Sequence, residues 1–245
     1  MMKLLPILAI SASLFRSGME AAAGTVTNLC ACTNPVFITS NTNGGWSNGG
    51  YYVHNNMWNA ASGETLYACA YNNWYVTANY PDTTDVKTYP NVHKDINNPK
   101  GTPLNNYHTI TSTFAANAPH LGIYDVAYDI WLNGVANRGC TEFMVWTENY
   151  KQVPLGSIQD HVAFDGVTYS AYHYTSGGAN VITLVPASAM TSGNLNLKAM
   201  FDWAINKGWM PSNPTVNQIC YGVEICSTQN QPATFYFTDF SVAMN

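Results

Sequence analysis

From residue 24 onward, short runs rich in Val, Ile, Thr, Tyr and Trp alternate with Asn, Gly, Pro and Asp punctuation about every ten residues. Many strands without alternating helices predict an all-β chain, with antiparallel sheets packed face to face as a sandwich or jelly roll. The runs read as strands cover 51–58, 65–77, 122–132, 141–146, 167–175, 181–185, 218–226 and 234–244. One stretch, 194–207, has helical spacing instead, with Leu197, Met200, Phe201, Ala204 and Ile205 on one side and Gly208 as its stop. Between 81 and 118 the chain reads as rich in loops. No repeat, low-complexity linker or break in composition divides it, so 24–245 is read as one domain.

Residues 1–23 carry Lys3, then an apolar stretch from Leu4 to Ile10, and end on Ala21-Ala22-Ala23 before Gly24. That is the pattern of a secretory signal peptide, with an apolar run too short to span a bilayer, and it predicts a secreted, extracellular protein. Only 9% of the residues are charged and the formal net charge is −5. A basic surface for phosphates is therefore missing, which argues against nucleic-acid or anionic-membrane partners. The polar surface is made of Asn, Thr, Ser, Gly and Tyr, which suits uncharged ligands such as sugars.

Six cysteines in an exported chain imply disulfides. Cys220 and Cys226 lie too far apart along one strand to bridge, about 20 Å at 3.3 Å per residue. Cys30 or Cys32 is read as the partner of Cys69. No C-x-x-C or spaced Cys/His set marks a metal site, no cofactor is expected, and the six histidines read as surface groups or satisfied core groups.

Two acids interrupt apolar strands. In Thr141–Trp146, period-two alternation puts Glu142 with Met144 and Trp146, opposite Phe143 and Val145. In Gln218–Cys226, Glu224 shares a face with Cys220 and Gly222, opposite Tyr221, Val223 and Ile225. Both acids thus point away from the core onto a second, aromatic surface that reads as a cleft. Asp129, in Tyr128-Asp129-Ile130-Trp131, is a third carboxylate on a strand, whereas Glu64 and Glu148 sit in turn contexts and read as solvated. Exposed acids paired with Lys or Arg would give the same pattern, but bases are scarce in this chain. Two carboxyls across an aromatic groove are what glycosidic hydrolysis needs: one ionised, one holding a proton for the leaving oxygen. A third acid beside the nucleophile would hold it in place.

These residues, in order, resemble glycoside hydrolase family 12, the retaining endo-β-1,4-glucanases and xyloglucanases with a β-jelly-roll fold. Asn55-Asn56-Met57-Trp58 is similar to the family's Asn-Asn-x-Trp strand, and Tyr89-Pro90-Asn91-Val92 to its Tyr-Pro element. Tyr128-Asp129-Ile130-Trp131 resembles the strand of the assisting aspartate, and Glu142-Phe143-Met144-Val145-Trp146 the Glu-x-Met-x-Trp nucleophile motif, followed by Pro154-Leu155-Gly156. The 194–207 helix and Gly222-Val223-Glu224 resemble the late helix and the Gly-x-Glu strand. The resemblance implies a jelly roll with a concave substrate cleft. It implies Glu142 as nucleophile, Glu224 as general acid/base, Asp129 as the nucleophile's partner, Asn56 as a hydrogen-bonding neighbour, and Trp58, Met144 and Trp146 lining sugar subsites. Cys69 falls where the partner of an N-terminal cysteine is expected, and Cys32 is taken as that partner. Two departures stand out: Ile225-Cys226 replaces the Pro that follows the acid/base Glu in many members, and Thr33-Asn34-Pro35-Val36 stands where many carry a Trp.

The expectation is a monomeric, secreted endo-β-1,4-glucanase acting on a β-1,4-linked glucan such as cellulose. A xyloglucan-specific enzyme, or a non-catalytic carbohydrate-binding jelly roll or lectin, would share the fold and the low charge.

Overall fold

The computed structural model describes residues 32–245. The expected signal segment and Cys30 lie outside these residues. With strands numbered in chain order, the smaller sheet runs β1 (Phe37–Thr39), β4 (Glu64–Ala70), β5 (Asn73–Ala78), β16 (Ala233–Met244), β8 (Ile110–Asn117), β14 (Ser192–Asn196). The larger runs β11 (Ser157–Phe164), β12 (Val167–Ser176), β13 (Ala179–Pro186), β10 (Thr141–Tyr150), β9 (Ile123–Leu132), β15 (Thr215–Ser227), β6 (Asn91–Asp95), β3 (Tyr51–His54), β2 (Gly45–Asn48). The short β7 (Thr102–Pro103) pairs with the start of β15. Pairing is antiparallel except between β10 and β13, which run parallel. The all-β jelly roll expected from the sequence is the observed fold.

Alternation builds the core between the sheets. Tyr124, Val126, Tyr128, Ile130 and Leu132 of β9, Phe143 and Val145 of β10, and Ile219, Tyr221, Val223 and Ile225 of β15 all point inward. They meet Trp74 and Val76 of β5, Phe114 of β8, and Phe235, Phe237, Phe240 and Val242 of β16. A bulge between Phe237 and Asp239 resets the phase of β16, which lets Phe237 and Phe240 both face the core. Rings pack closely there: Trp74 stacks on Phe237 with centroids 4.0 Å apart. On the opposite face of the larger sheet, Ala127, Met144 and Trp146 form a separate apolar cluster.

Three sequence readings are corrected. The run 65–77 is a hairpin of β4 and β5 that turns at Tyr71-Asn72, not one strand. The run 51–58 leaves the sheet at His54, because Asn56 takes a left-handed φ of 44° and Asn55 turns its side-chain amide onto the Asn41 carbonyl. The loop-rich 81–118 contains β6, β7, a 3₁₀ turn at Leu104–Asn106 and β8. The helix, α1, spans Leu197–Asn206. Asn196 caps it by accepting from the Ala199 N–H at 3.1 Å, Leu197, Met200, Phe201 and Ala204 are buried, and Gly208 at φ 73° ends it. A disulfide joins Cys32 to Cys69, while Cys140, Cys220 and Cys226 are free thiols. No described helix is long and apolar enough to cross a membrane.

Candidate active site

The outer face of the larger sheet floors a cleft of about 1100 Å³. Its floor follows from register. On β9, Asp125, Ala127, Asp129 and Trp131 share the outward face. Across β10, Glu142 stands opposite Trp131, Met144 opposite Asp129 and Trp146 opposite Ala127. Across β15, Gln218 stands opposite Trp131, Cys220 opposite Asp129 and Glu224 opposite Asp125. Glu142, Glu224 and Asp129 therefore line one cleft, together with Met144, Trp146, Asn56 and Trp58. Asp129 is one diagonal step from Glu142 across the β9–β10 pair.

The two aromatic platforms expected from the sequence differ. Trp58 is 60% exposed on the rim, whereas Trp146 is only 2% exposed and packs under Met144 and Ala127. The segment 151–155 also lines the cleft, with the side chains of Val153 and Leu155 exposed.

Four acids crowd this face, and no ion pair with Lys, Arg or His reaches any of them among the described residues. Burial pushes Glu142 up to about 7, and the Glu224 charge adds to the shift. Burial also pushes Glu224 up to about 7, against a bond from Asp125 that pulls it down. Asp129 is held well above the usual carboxylate range by burial and then by Glu142 and Glu224, and Asp125 likewise, by burial and then by Glu224. In such a cluster the loss of one proton makes the next harder to remove, so ionised and protonated carboxyls coexist near neutral pH.

Three segments brace the site. Thr88 Oγ1 donates within reach of the Asn55 and Asn56 carbonyls, at 3.3 and 3.2 Å, and of Glu64 Oε1 at 3.0 Å. The Tyr89 hydroxyl, in the cleft lining, donates to the Ala127 carbonyl at 3.0 Å. Gly222 lets the chain at Pro90 lie against β15: a Cβ there would fall 2.1 Å from the Pro90 carbonyl oxygen, which accepts from the Val223 N–H at 3.2 Å.

Several residues were misread or missed in the sequence. Glu64 and Glu148 are buried, not solvated. Glu148 Oε1 accepts from the Tyr124 hydroxyl at 2.6 Å and lies 3.2 Å from His120 Nε2. His54 and His93 are satisfied groups as read, bonded to Asn43 Oδ1 and Asn91 Oδ1, but their place in the cleft was not foreseen. They line the cleft beside Tyr52, with the Tyr52 and His93 rings 5.3 Å apart, and burial holds both imidazoles below their usual range, His93 to about 4. Asp125 was passed over, although its spacing of four from Asp129 on one strand puts both on the same face.

Among solved structures, the xyloglucanase domain of NopAA, a type three effector from Sinorhizobium fredii, in complex with cellobiose, is 28% identical with a TM-score of 0.73 and matches 86% of this chain and all of that one. The native family 12 xyloglucanase from Bacillus licheniformis is 23% identical, with a TM-score of 0.75 over 85% of this chain and all of that one. The catalytic domain of Humicola grisea Cel12A, in complex with a thio cellotetraose, is 23% identical, with a TM-score of 0.75 over 86% of this chain and all of that one. No curated protein sequence matches significantly. The family model described as Glycosyl hydrolase family 12 matches residues 49–245, and the chain belongs to that family.

Proposed function

We propose that this glycosidase is a secreted, retaining endo-β-1,4-glucanase, with residues 24–245 as its catalytic domain. The observation that carries the reading is that Glu142 and Glu224 line one cleft, that the Glu224 charge helps Glu142 keep its proton, and that no Lys, Arg or His forms an ion pair with either among the described residues. Such a pair holds one proton over a range of pH, as a nucleophile and an acid require.

In the first step the Glu142 carboxylate attacks the anomeric carbon. The glycosidic C–O bond breaks, and Glu224 gives its proton to the departing oxygen. Water then attacks the same carbon, Glu224 takes a proton from that water, and the bond between sugar and Glu142 breaks. Asp129 steadies the Glu142 carboxyl from its diagonal position. Asn56 and Trp58 hold the sugar at the rim, and Met144 and Trp146 shape the floor beneath it. A leader of the type read at 1–23 and the Cys32–Cys69 bond support an oxidising, extracellular setting.

Xyloglucan is the second reading of the substrate. It is favoured by the likeness to the NopAA xyloglucanase domain and by the exposed Val153 and Leu155 in the cleft lining, which offer apolar surface to the branches.

The test is release of reducing sugar from cellulose, mixed-linkage β-glucan and xyloglucan by the wild type and by Glu142→Gln. Hydrolysis of at least one polymer by the wild type, lost by about 10³-fold or more in a variant that still binds it, is the expected result. Binding by the wild type without hydrolysis of any of the three would make the protein a carbohydrate-binding module instead.

A further inference from the structure

Glu224 has a neighbour that the reaction scheme does not use. The β15–β9 register sets Asp125 directly across from it, so the two side chains stand together on one face. Asp125 is completely buried, and neither of its oxygens meets an N–H or hydroxyl donor. The group it faces at bonding range is the Glu224 carboxyl. Two carboxylates cannot bond each other, and such a contact exists only when one of them carries a proton.

The burial decides which one. Glu224 opens onto the cleft and Asp125 lies behind it. The other groups acting on Asp125 are Asp129 on its own strand and Glu142 on β10, both acidic; Tyr89, before β6, and Cys226, on β15, also sense its charge, and neither is cationic. Every one of these neighbours opposes its ionisation or leaves it unaided. Resting on the assignment of Glu224 as acid/base, we propose that Asp125 stays protonated through the working range and donates an O–H···O bond to Glu224, as a positioning residue that fixes the acid/base side chain and sets its proton affinity.

The sign follows from the donor. A hydrogen bond given to the carboxylate favours its charged form, and an acid hydroxyl gives a stronger one than an amide does. Asp125→Asn weakens the donor and Asp125→Ala removes it, so in both Glu224 keeps its proton to higher pH.

The experiment is the pH profile of kcat/KM on whichever glucan the wild type cleaves, together with infrared spectra of wild type and Asp125→Asn at pH 7. The basic limb is expected to move up by about 0.5 pH unit in Asp125→Asn and about 1 unit in Asp125→Ala, with the acid limb, set by Glu142, in place. A protonated-carboxyl band present in the wild type should be missing from the variant. A residue needed only for packing would lower the rate without displacing the limb. Profiles that overlay the wild type, or spectra with no lost band, would overturn the proposal; because the spectra need no turnover, they also judge it separately from a failure to hydrolyse any glucan.

Discussion

The Tyr124 hydroxyl donates to Glu148 Oε1 over 2.6 Å on the core side of the very strand whose Glu142 faces the cleft. One irregularity separates the two acids: a shift in register between Trp146 and Glu148 turns the strand's later residues over, so Glu148 pairs with core-facing Val126. Tyr124→Phe strips the hydroxyl donor from a buried acid and leaves it beside the exposed His120 ring. Its unfolding free energy in urea should fall by about 1.5–3 kcal/mol, with kcat on the cleaved glucan changed by less than about twofold.

Glu64 predicts a dependence of stability on pH. Burial holds its carboxyl well above the usual range in the folded protein, so the folded state binds a proton that the unfolded state releases. The stability this group contributes is complete below its ordinary value of about 4.5 and declines as pH rises toward the folded value. Glu64→Gln mimics the protonated form and cannot ionise. Its Tm relative to wild type should climb steadily from pH 5 to pH 8, and a difference that stays flat or falls would show that Glu64 is ionised in the folded protein. The opposing contributions of His54 and His93 are common to both proteins and cancel in the difference.

Trp58 stands on the rim with its ring free, whereas Trp146 is packed into the floor. Removing the first should cost sugar contact without disturbing the fold. Trp58→Ala is expected to raise KM for a long glucan by about 3- to 10-fold while Tm moves by less than about 2 °C. Trp146→Ala should instead lower Tm by several degrees, as expected for loss of a large buried ring. Equal behaviour of the two variants would contradict this division of roles.

The Cys32–Cys69 bond spans 37 residues and ties the start of the described chain to β4, in the sheet remote from the cleft. Opening a loop of that length costs about 4 kcal/mol in the chain-entropy account. Cys69→Ser should lose about 2–4 kcal/mol of unfolding free energy and keep its kcat at a temperature where it stays folded.

The candidate site was legible wherever period-two alternation ran undisturbed. Glu142 and Glu224 sit in strands whose other face is apolar beside each acid, so their outward direction could be read from the neighbours Phe143, Val145, Tyr221 and Val223. Legibility failed where a residue's surroundings come from distant chain. Glu64 follows a glycine and looks like a turn acid, but Thr88 reaches it from another segment. Glu148, in Thr-Glu-Asn, reads as a solvated turn acid, but the strand runs on through it and the bulge turns it to the core side. The positive φ of Asn56, which carries Trp58 out of the sheet, left no trace beyond the Asn-Asn pair itself. Asp125 is the opposite case: alternation already aligned it with Asp129, and only the partner strand reveals that it meets Glu224.

Gly222 ties together parts of the molecule that a mutational survey would treat as separate. The stretch it admits, Lys87 to Pro90, zips along β15 through Ile225 and Val223, and the same stretch anchors Asn55 and Asn56 through Thr88. The wall bearing Trp58 and the strand bearing Glu224 are thus sewn along one seam, and a single methyl group at residue 222 would unpick both sides together. Redesign of the Trp58 wall and of the strand that holds Glu224 cannot proceed as two independent projects.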